Sequence, residues 1–312
     1  MKSILFGGAG FIGTNLTIKL AQDMKNRVTV VDRDKTFFSN IENYHFKNVD
    51  TIVSSFSEDS DFDKLLLDQE IVYHLVSTTV PTTANQHISQ EIKANVIATV
   101  NLLEACVRNH IKKIVFISSG GTVYGQSIHC PITEEALTDP INSYGLQKIT
   151  IEKLLYLFWY IYGLDYRIIR LANPYGPYQR PNGVLGAVTT FTYKAIRDEE
   201  IIVYGDGTVI RDFIYIDDAI NAILKIVDGE NAIKLFNVGS GYGTSIKEVL
   251  EIIGCVLKKD LNITYQTGRS VDVPENYLDI SRYEKIYGKL NPLSLEEGIA
   301  KMVRFITEKN QM

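Results

Sequence analysis

Tyr144 and Lys148 are four residues apart. In a helix that spacing puts both side chains on one face. An ammonium beside a phenol stabilises the phenolate and draws a tyrosine pKa down from ~10 towards working pH. A tyrosine so tuned exchanges a proton with a substrate hydroxyl while a hydride moves at the same carbon. The spacing is common in helices, so position has to carry the reading. The pair opens a helical pattern after an apolar run that ends Ile117-Ser118-Ser119-Gly120-Gly121-Thr122-Val123-Tyr124-Gly125. In open parallel sheets, ligands bind at the carboxyl ends of strands.

Hydride transfer needs a carrier, and the N-terminus offers a place for one. Gly7-Gly-Ala-Gly10-Phe11-Ile12-Gly13 lies between an apolar run and a helical pattern. Gly7 suits a tight turn, Gly10 a close backbone approach to a pyrophosphate, and Gly13 close helix–strand packing. The helix start then presents N–H groups and a positive dipole end to the phosphates. The second apolar run ends Val30-Val31-Asp32, and Asp32 is 19 residues beyond Gly13. A carboxylate there accepts both hydroxyls of an adenosine ribose, which favours NAD over NADP. Arg33 follows at once and could meet a 2′-phosphate, so NADP is not excluded.

These residues need a scaffold, and the pattern supplies one. Apolar runs at Ser3–Phe6, Val28–Val31, Ile71–Val76, Ile114–Ile117 and Tyr166–Leu171 read as strands. Helical patterns lie between them at Phe11–Lys25, Ile88–Arg108 and Tyr144–Tyr162. Alternation of this kind predicts an α/β fold, a doubly wound parallel sheet with helices on both faces. Residues 1–172 are expected to form the dinucleotide-binding domain. Residues 173–312 read as a smaller mixed α/β portion for substrate, some of whose elements could return to the first domain. There a helix is expected near Val184–Arg197, with short strands at Ile201–Tyr204 and Phe213–Tyr215. Ser245-Ile-Lys-Glu248 and Ser294-Leu-Glu-Glu297 are capping boxes that start helices.

At this point the chain resembles the extended short-chain dehydrogenase/reductases. Within them it is similar to the nucleotide-sugar epimerase/dehydratase family, the UDP-galactose 4-epimerase-like enzymes. The residues that carry the resemblance are GGAGFIG, SSGGTVYG, YGLQK and Asn173-Pro-Tyr-Gly-Pro177. Tyr204-Gly-Asp-Gly-Thr-Val-Ile-Arg211 and Arg269-Ser-Val-Asp272 are later landmarks. The resemblance implies a Rossmann-type fold with Tyr144 and Lys148 as the catalytic pair. It implies that Gly7, Gly10, Phe11, Ile12, Gly13, Asp32, Arg33, Leu75, Asn95 and Ser118 surround the cofactor, beside Tyr144 and Lys148. It places Asn173, Tyr204, Arg211, Arg269 and Asp272 on a nucleotide diphosphate or its nucleoside. Two arginines can neutralise a diphosphate by charge-assisted bonds, although Arg211 could equally pair with its neighbour Asp212.

One departure from the family matters. Its catalytic serine or threonine falls on Gly120, which has no hydroxyl. Thr122 is the expected replacement and Ser119 the alternative. The resemblance also places a gate beside the sugar's C2 substituent at Asn276. Asparagine is smaller than the tyrosine associated with plain hexoses, so acetamido sugars are expected to enter. The adjacent Tyr277 would restore the large gate if the register slipped by one.

The reading implied is a nucleotide-sugar 4-epimerase that works through a transient 4-keto sugar with bound NAD. Its expected substrate is a UDP-hexose or UDP-N-acetylhexosamine. The alternative is an NAD(P)H-dependent 4-ketoreductase of a nucleotide-linked 4-keto-6-deoxyhexose. A non-catalytic dinucleotide-binding protein fits the intact Tyr144/Lys148 pair less well.

Composition agrees with a folded enzyme of 312 residues with 45% apolar content, including 13 Phe and 18 Tyr that need a core. Net charge is −5, which argues against a nucleic-acid partner. No run reaches the ~20 apolar residues of a membrane span. Cys106, Cys130 and Cys255 are widely spaced, which fits a reducing cytoplasmic setting and excludes a cysteine-based metal site. No histidine has metal-ligand spacing, and His74 is expected to pack beneath the cofactor. The apolar stretch around Phe158-Trp159-Tyr160 is expected to pair with its copy in a homodimer.

Overall fold

The computed structural model describes residues 1–79, 81, 84–126, 129–181, 186–268 and 273–309. The first part of the chain alternates strands and helices. The strands are β1 (Lys2–Phe6), β2 (Arg27–Asp32), β3 (Val49–Val53), β4 (Ile71–His74), β5 (Lys113–Ser119) and β6 (Asp165–Leu171). Between them lie α1 (Phe11–Ala21), the short α2 (Ser39–Glu42) and α3 (Phe62–Leu66), then α4 (Ile88–Ile92), α5 (Ala98–Arg108) and α6 (Ser143–Tyr162). The later part holds β7 (Asn173–Tyr175), α7 (Ala187–Ile196), β8 (Ile201–Tyr204), β9 (Ile210–Arg211), β10 (Phe213–Tyr215), α8 (Ile216–Asp228) and β11 (Leu235–Val238). It continues through β12 (Thr244–Ser245), α9 (Ile246–Leu257), β13 (Ile263–Gln266), β14 (Glu275–Asn276), α10 (Ser281–Tyr287) and α11 (Leu295–Lys309).

Seven strands form one sheet in the order β3-β2-β1-β4-β5-β6-β11. Every pairing in it is parallel. Both faces are covered, so the strands are apolar on both sides. On β5, Val115 and Ile117 join the core under α1 and α8, while Ile114 and Phe116 join the core under α5 and α6. The period-two alternation of a strand splits one short sequence between two cores. A third core, of Tyr175, Val188, Ile253, Ile299 and Met302 among others, gathers α7, α9 and α11.

Two features differ from the sequence expectation. β3 is outside that expectation: it is a short, mostly exposed edge strand whose Val49, Ile52 and Val53 make no continuous apolar run. The helical pattern of Ile88–Arg108 is broken by a π turn at Lys93–Ile97, which separates α4 from α5. Extra-residue turns of this kind concentrate at functional sites, and this one carries Asn95. The chain also returns to the first sheet after residue 172, a return the sequence reading allowed. β11 pairs with β6, and α8 packs over α1 and β6.

A buried ion pair ties α6 to the sheet. Glu152 accepts from Arg170 on β6 at 3.1 Å and 2.7 Å, and both side chains are 5% exposed. Removing one partner of such a pair strands a charge in the core. Arg170→Met should therefore cost ~3–5 kcal/mol in urea unfolding, and the double variant with Glu152→Gln should recover part of that loss. Equal stability of the Arg170→Met single variant and wild type would refute this account of how α6 is held.

Candidate active site

α6 begins one residue before the expected catalytic tyrosine. Asn142 caps the helix, its side chain accepting from the Gly145 N–H at 2.9 Å. Gly145 lets that first turn press against the preceding loop, for a Cβ there would lie 2.6 Å from the Thr122 carbonyl oxygen. The helix ends at Gly163 in the left-handed conformation.

Three polar side chains of α6, one turn apart, meet three consecutive residues of β5. The Tyr144 hydroxyl lies beside Ser119. The Lys148 ammonium donates to the Ile117 carbonyl at 2.9 Å and lies 5.6 Å from the Tyr144 ring centre. Ser118 donates to Glu152 at 2.5 Å. Burial governs the proton affinities. It pushes the Tyr144 phenol up to about 12, against the pull of the neighbouring Ser119. It brings Lys148 down to about 8, opposed by the nearby Glu152 carboxylate. The expectation of a tyrosine lowered by its lysine is thus corrected for the protein alone. Desolvation of the phenolate outweighs an ammonium whose hydrogen bond goes to a backbone carbonyl.

The N-terminal glycines form the floor of a cleft of ≈ 540 Å³, lined by Gly7, Gly10, Phe11, Asp32, Arg33 and Leu75 among others. Gly7 has φ +76°, and a Cβ on Gly13 would meet Gly8 Cα at 2.5 Å. Both positions therefore require glycine. Asp32 stands at the end of β2 and accepts from the Ala9 and Arg33 N–H groups at 3.1 Å and 2.9 Å. A carboxylate has about four acceptor sites, so capacity for ribose hydroxyls remains. A glycine cradle beside a carboxylate fits a dinucleotide.

Other expected cofactor contacts have different duties. Asn95 accepts from the Thr78 N–H at 2.9 Å and donates to Gln147 at 2.7 Å, to Thr79 at 3.1 Å and to the Glu91 carbonyl at 3.0 Å. Its amide braces the π turn against α6 and the loop after β4, rather than projecting into the cleft. Ser118 is buried and committed to Glu152. Ile12 packs against the core below the turn. His74 is buried with Nε2 2.9 Å from Thr99 Oγ1, and burial holds its pKa near 3, so it is neutral.

On the substrate side, Asn173 donates to the Asp212 carbonyl at 2.9 Å. Arg211 donates to the Ile210 and Val273 carbonyls at 2.8 Å and 2.7 Å. The neighbouring Asp212 carboxylate is fully buried and faces the other way. It accepts from the Ser240 N–H and hydroxyl at 2.7 Å and from the Leu278 N–H at 3.2 Å. Tyr204 is exposed at the end of β8. Arg269 and Asp272 lie outside the described residues.

Gly120 has no room for a side chain unless Leu278 shifts. A Cβ there would stand 2.5 Å from Leu278 Cδ1 and 3.2 Å from the Leu171 carbonyl oxygen. Asn276, buried beside it, donates to the Gly120 carbonyl at 3.4 Å. Tyr277 turns to the opposite side and packs on Gly243, whose Cβ would meet the ring at 2.8 Å. Thr122 Oγ1 is buried without a hydrogen-bond partner among the described residues.

Fold and site together define a Rossmann-type enzyme in which a Tyr/Ser/Lys group, its lysine buried and its tyrosine and serine half-buried, stands at the carboxyl end of the sheet, near a dinucleotide cleft. Residues 4–239 match the model of the NAD dependent epimerase/dehydratase family, and the chain belongs to that family. It is 29% identical over 313 residues to the UDP-glucose 4-epimerase of Mycolicibacterium smegmatis, covering 100% of both chains. It is 30% identical to a dTDP-4-dehydro-6-deoxyglucose reductase of Escherichia coli, over 97% of this chain and 96% of the other. Among solved structures it superposes with TM-score 0.90 on the UDP-N-acetylglucosamine 4-epimerase of Methanobrevibacter ruminantium in complex with UDP-N-acetylmuramic acid. That pair is 31% identical over 99% of this chain and 98% of the other.

The close packing of Gly120 has a measurable consequence. Gly120→Ser should destabilise the fold by ~1–3 kcal/mol, the usual cost of overpacking a full core. Leu278→Ala in the same chain should relieve part of that loss in urea unfolding. A Gly120→Ser chain as stable as wild type would mean that Leu278 yields freely.

Proposed function

We propose that this enzyme is an NAD-dependent nucleotide-sugar 4-epimerase acting on UDP-hexoses, UDP-N-acetylhexosamines among them. The observation that carries the reading is the Ser119–Tyr144–Lys148 group beside the dinucleotide cleft, with the Thr122 hydroxyl buried and unpartnered. The chemistry supplied by bound NAD is reversible acceptance of a hydride. Tyr144 takes the proton from the sugar's O4 as the C4 hydrogen leaves and returns it after the 4-keto sugar has turned over. The Lys148 ammonium holds negative charge on the phenolate during that step. Ser119 steers the phenol, and Thr122 donates to the sugar oxygen. Asn173, Tyr204, Arg211, Arg269 and Asp272 are assigned to the nucleoside diphosphate. Asn276 retains a second amide N–H for an acetamido carbonyl, and Tyr277 faces away from it.

A 4-ketoreductase of a nucleotide-linked 4-keto-6-deoxyhexose is the second reading, favoured by the similarity to the Escherichia coli reductase. The two differ in cofactor economy. An epimerase keeps its NAD and shows no net redox change, whereas a reductase consumes NADH or NADPH one for one.

Purified protein should interconvert UDP-N-acetylglucosamine and its C4 epimer at least as well as UDP-glucose, with products resolved by proton NMR. Tyr144→Phe should retain NAD while turnover falls ~10²–10⁴-fold, the worth of a positioned acid/base. Thr122→Val should slow turnover about tenfold or more on the same grounds. Full activity in Tyr144→Phe would remove the tyrosine from the chemistry. If Ser119→Ala slows the enzyme and Thr122→Val does not, the contact with the sugar belongs to Ser119.

The outer face of α6 supports a homodimer. Tyr156, Leu157, Trp159, Tyr160 and Ile161 are exposed on it, and Tyr160 is 73% exposed. A contiguous apolar patch of this sort marks an interaction surface. Among the described residues no helix is long and apolar enough to cross a membrane. Free Cys106, Cys130 and Cys255 suit a cytoplasmic setting. Sedimentation should therefore give twice the 35.2 kDa chain mass for wild type and the monomer for Tyr160→Asp. A wild-type monomer at micromolar concentration would overturn the dimer.

A further inference from the structure

The cofactor cleft has a wall that no sequence motif announced. Facing Gly10, Phe11, Arg33 and Phe37 are Tyr178, Gln179 and Arg180, from the segment after β7. That segment belongs to the substrate portion of the chain, yet it is fastened to the dinucleotide-binding portion at three points. The Asn15 amide, one turn into α1, donates to the Pro177 carbonyl at 3.0 Å while also donating to the Phe11 carbonyl at 2.9 Å. The Tyr178 hydroxyl meets the Tyr44 hydroxyl at 2.5 Å. The Arg180 guanidinium lies 4.2 Å from the centre of the Phe37 ring. The segment is braced from its own side as well. Gln179 donates to the Pro174 carbonyl at 3.2 Å, and the Tyr178 ring packs edge-on against Phe305 of α11 at 5.1 Å.

We propose that Tyr178-Gln179-Arg180 is a strap over the adenosine diphosphate half of the dinucleotide, with Arg180 as its charged contact. Position argues for that half of the ligand. The strap stands across from the glycine turn that receives a pyrophosphate and from Asp32, which receives a ribose. Charge argues for the same. A guanidinium stacked on an aromatic ring keeps its N–H edge free for oxygen acceptors. Arg33 is 5.9 Å from the same ring, so two cations flank Phe37 at the cleft. Backbone conformation adds a third argument. Tyr178 has φ +69°, a left-handed conformation rarely adopted by a bulky residue. The contacts with Tyr44 and Phe305 hold it there. An enzyme that takes a hydride and gives it back must not lose its cofactor between the two events. A strap reaching over from the other portion of the chain slows that loss without obstructing the end where Tyr144 works.

The inference rests on the NAD-dependent reading, and its test separates the two. ADP-ribose carries the adenosine diphosphate half without nicotinamide, so it probes the strap apart from the chemistry. Calorimetric titration of cofactor-stripped protein should show Arg180→Ala binding NAD and ADP-ribose about tenfold more weakly, by similar factors, as expected for a lost charge-assisted bond. Arg180→Lys should recover part of the affinity. Tyr44→Phe leaves Arg180 in place and should speed NAD release several-fold in a displacement experiment followed by fluorescence. Arg180 is exposed, so these losses should come without a change in unfolding midpoint. Wild-type affinity for ADP-ribose in Arg180→Ala, with unchanged NAD release in Tyr44→Phe, would overturn the strap while leaving the epimerase reading intact. A wild-type protein that binds neither ligand would overturn both.

Discussion

The site depends on the grip between α6 and the last three residues of β5. Ile117, Ser118 and Ser119 offer a carbonyl and two hydroxyls, and Lys148, Glu152 and Tyr144 take them up. Each contact is local and modest, but together they fix the rotation and depth of a 20-residue helix against the sheet. Arg170 closes the arrangement from β6 by pairing with Glu152. The same grip buries the Lys148 ammonium and half-buries the Tyr144 side chain. Burial raises the phenol's pKa to about 12 and lowers the ammonium's to about 8, which moves two nearly equal proton affinities apart.

The glycines here do two different kinds of work. Gly7 and Gly13 are needed for backbone reasons, a left-handed φ and a helix pressed against a turn. Gly120 is needed because another side chain holds its space. Leu278, on the segment that also carries Asn276, fills the volume a serine would occupy. Loss of a hydroxyl at position 120 and approach of the 276–278 segment are therefore one packing event. Among the described residues the Thr122 hydroxyl nearby is buried without a hydrogen-bond partner.

The two portions of the chain are interleaved. α8 and β11 return to the first sheet, Asn237 on β11 accepts from the Tyr124 hydroxyl at 2.7 Å, and the strap after β7 leans over the cofactor cleft. The walls of the cleft thereby come from both portions of the chain. The Asp212 carboxylate gathers Ser240, Gly241 and Leu278 around β10. A buried carboxylate satisfied by several donors specifies one arrangement of those segments, since any other leaves its charge unsolvated.

The sequence alone determined the alternation of strands and helices, the glycine turn followed by Asp32, and the Tyr144/Lys148 pair. All three are local patterns, set by period, spacing and backbone permissiveness within a few residues. The two capping boxes were legible for the same reason, and both are formed. Only the tertiary structure decided which way Asn95 and Ser118 point, because their partners are 52 and 34 residues away. It decided that burial, rather than the neighbouring lysine, dominates the Tyr144 proton affinity, since desolvation depends on everything packed around a group. It also brought Arg180 to Phe37 and Leu278 to Gly120, pairs far apart in the chain and joined by no motif. Contacts between distant residues leave no periodic trace in a single sequence, and they are what turn a recognisable pair of catalytic side chains into a particular site.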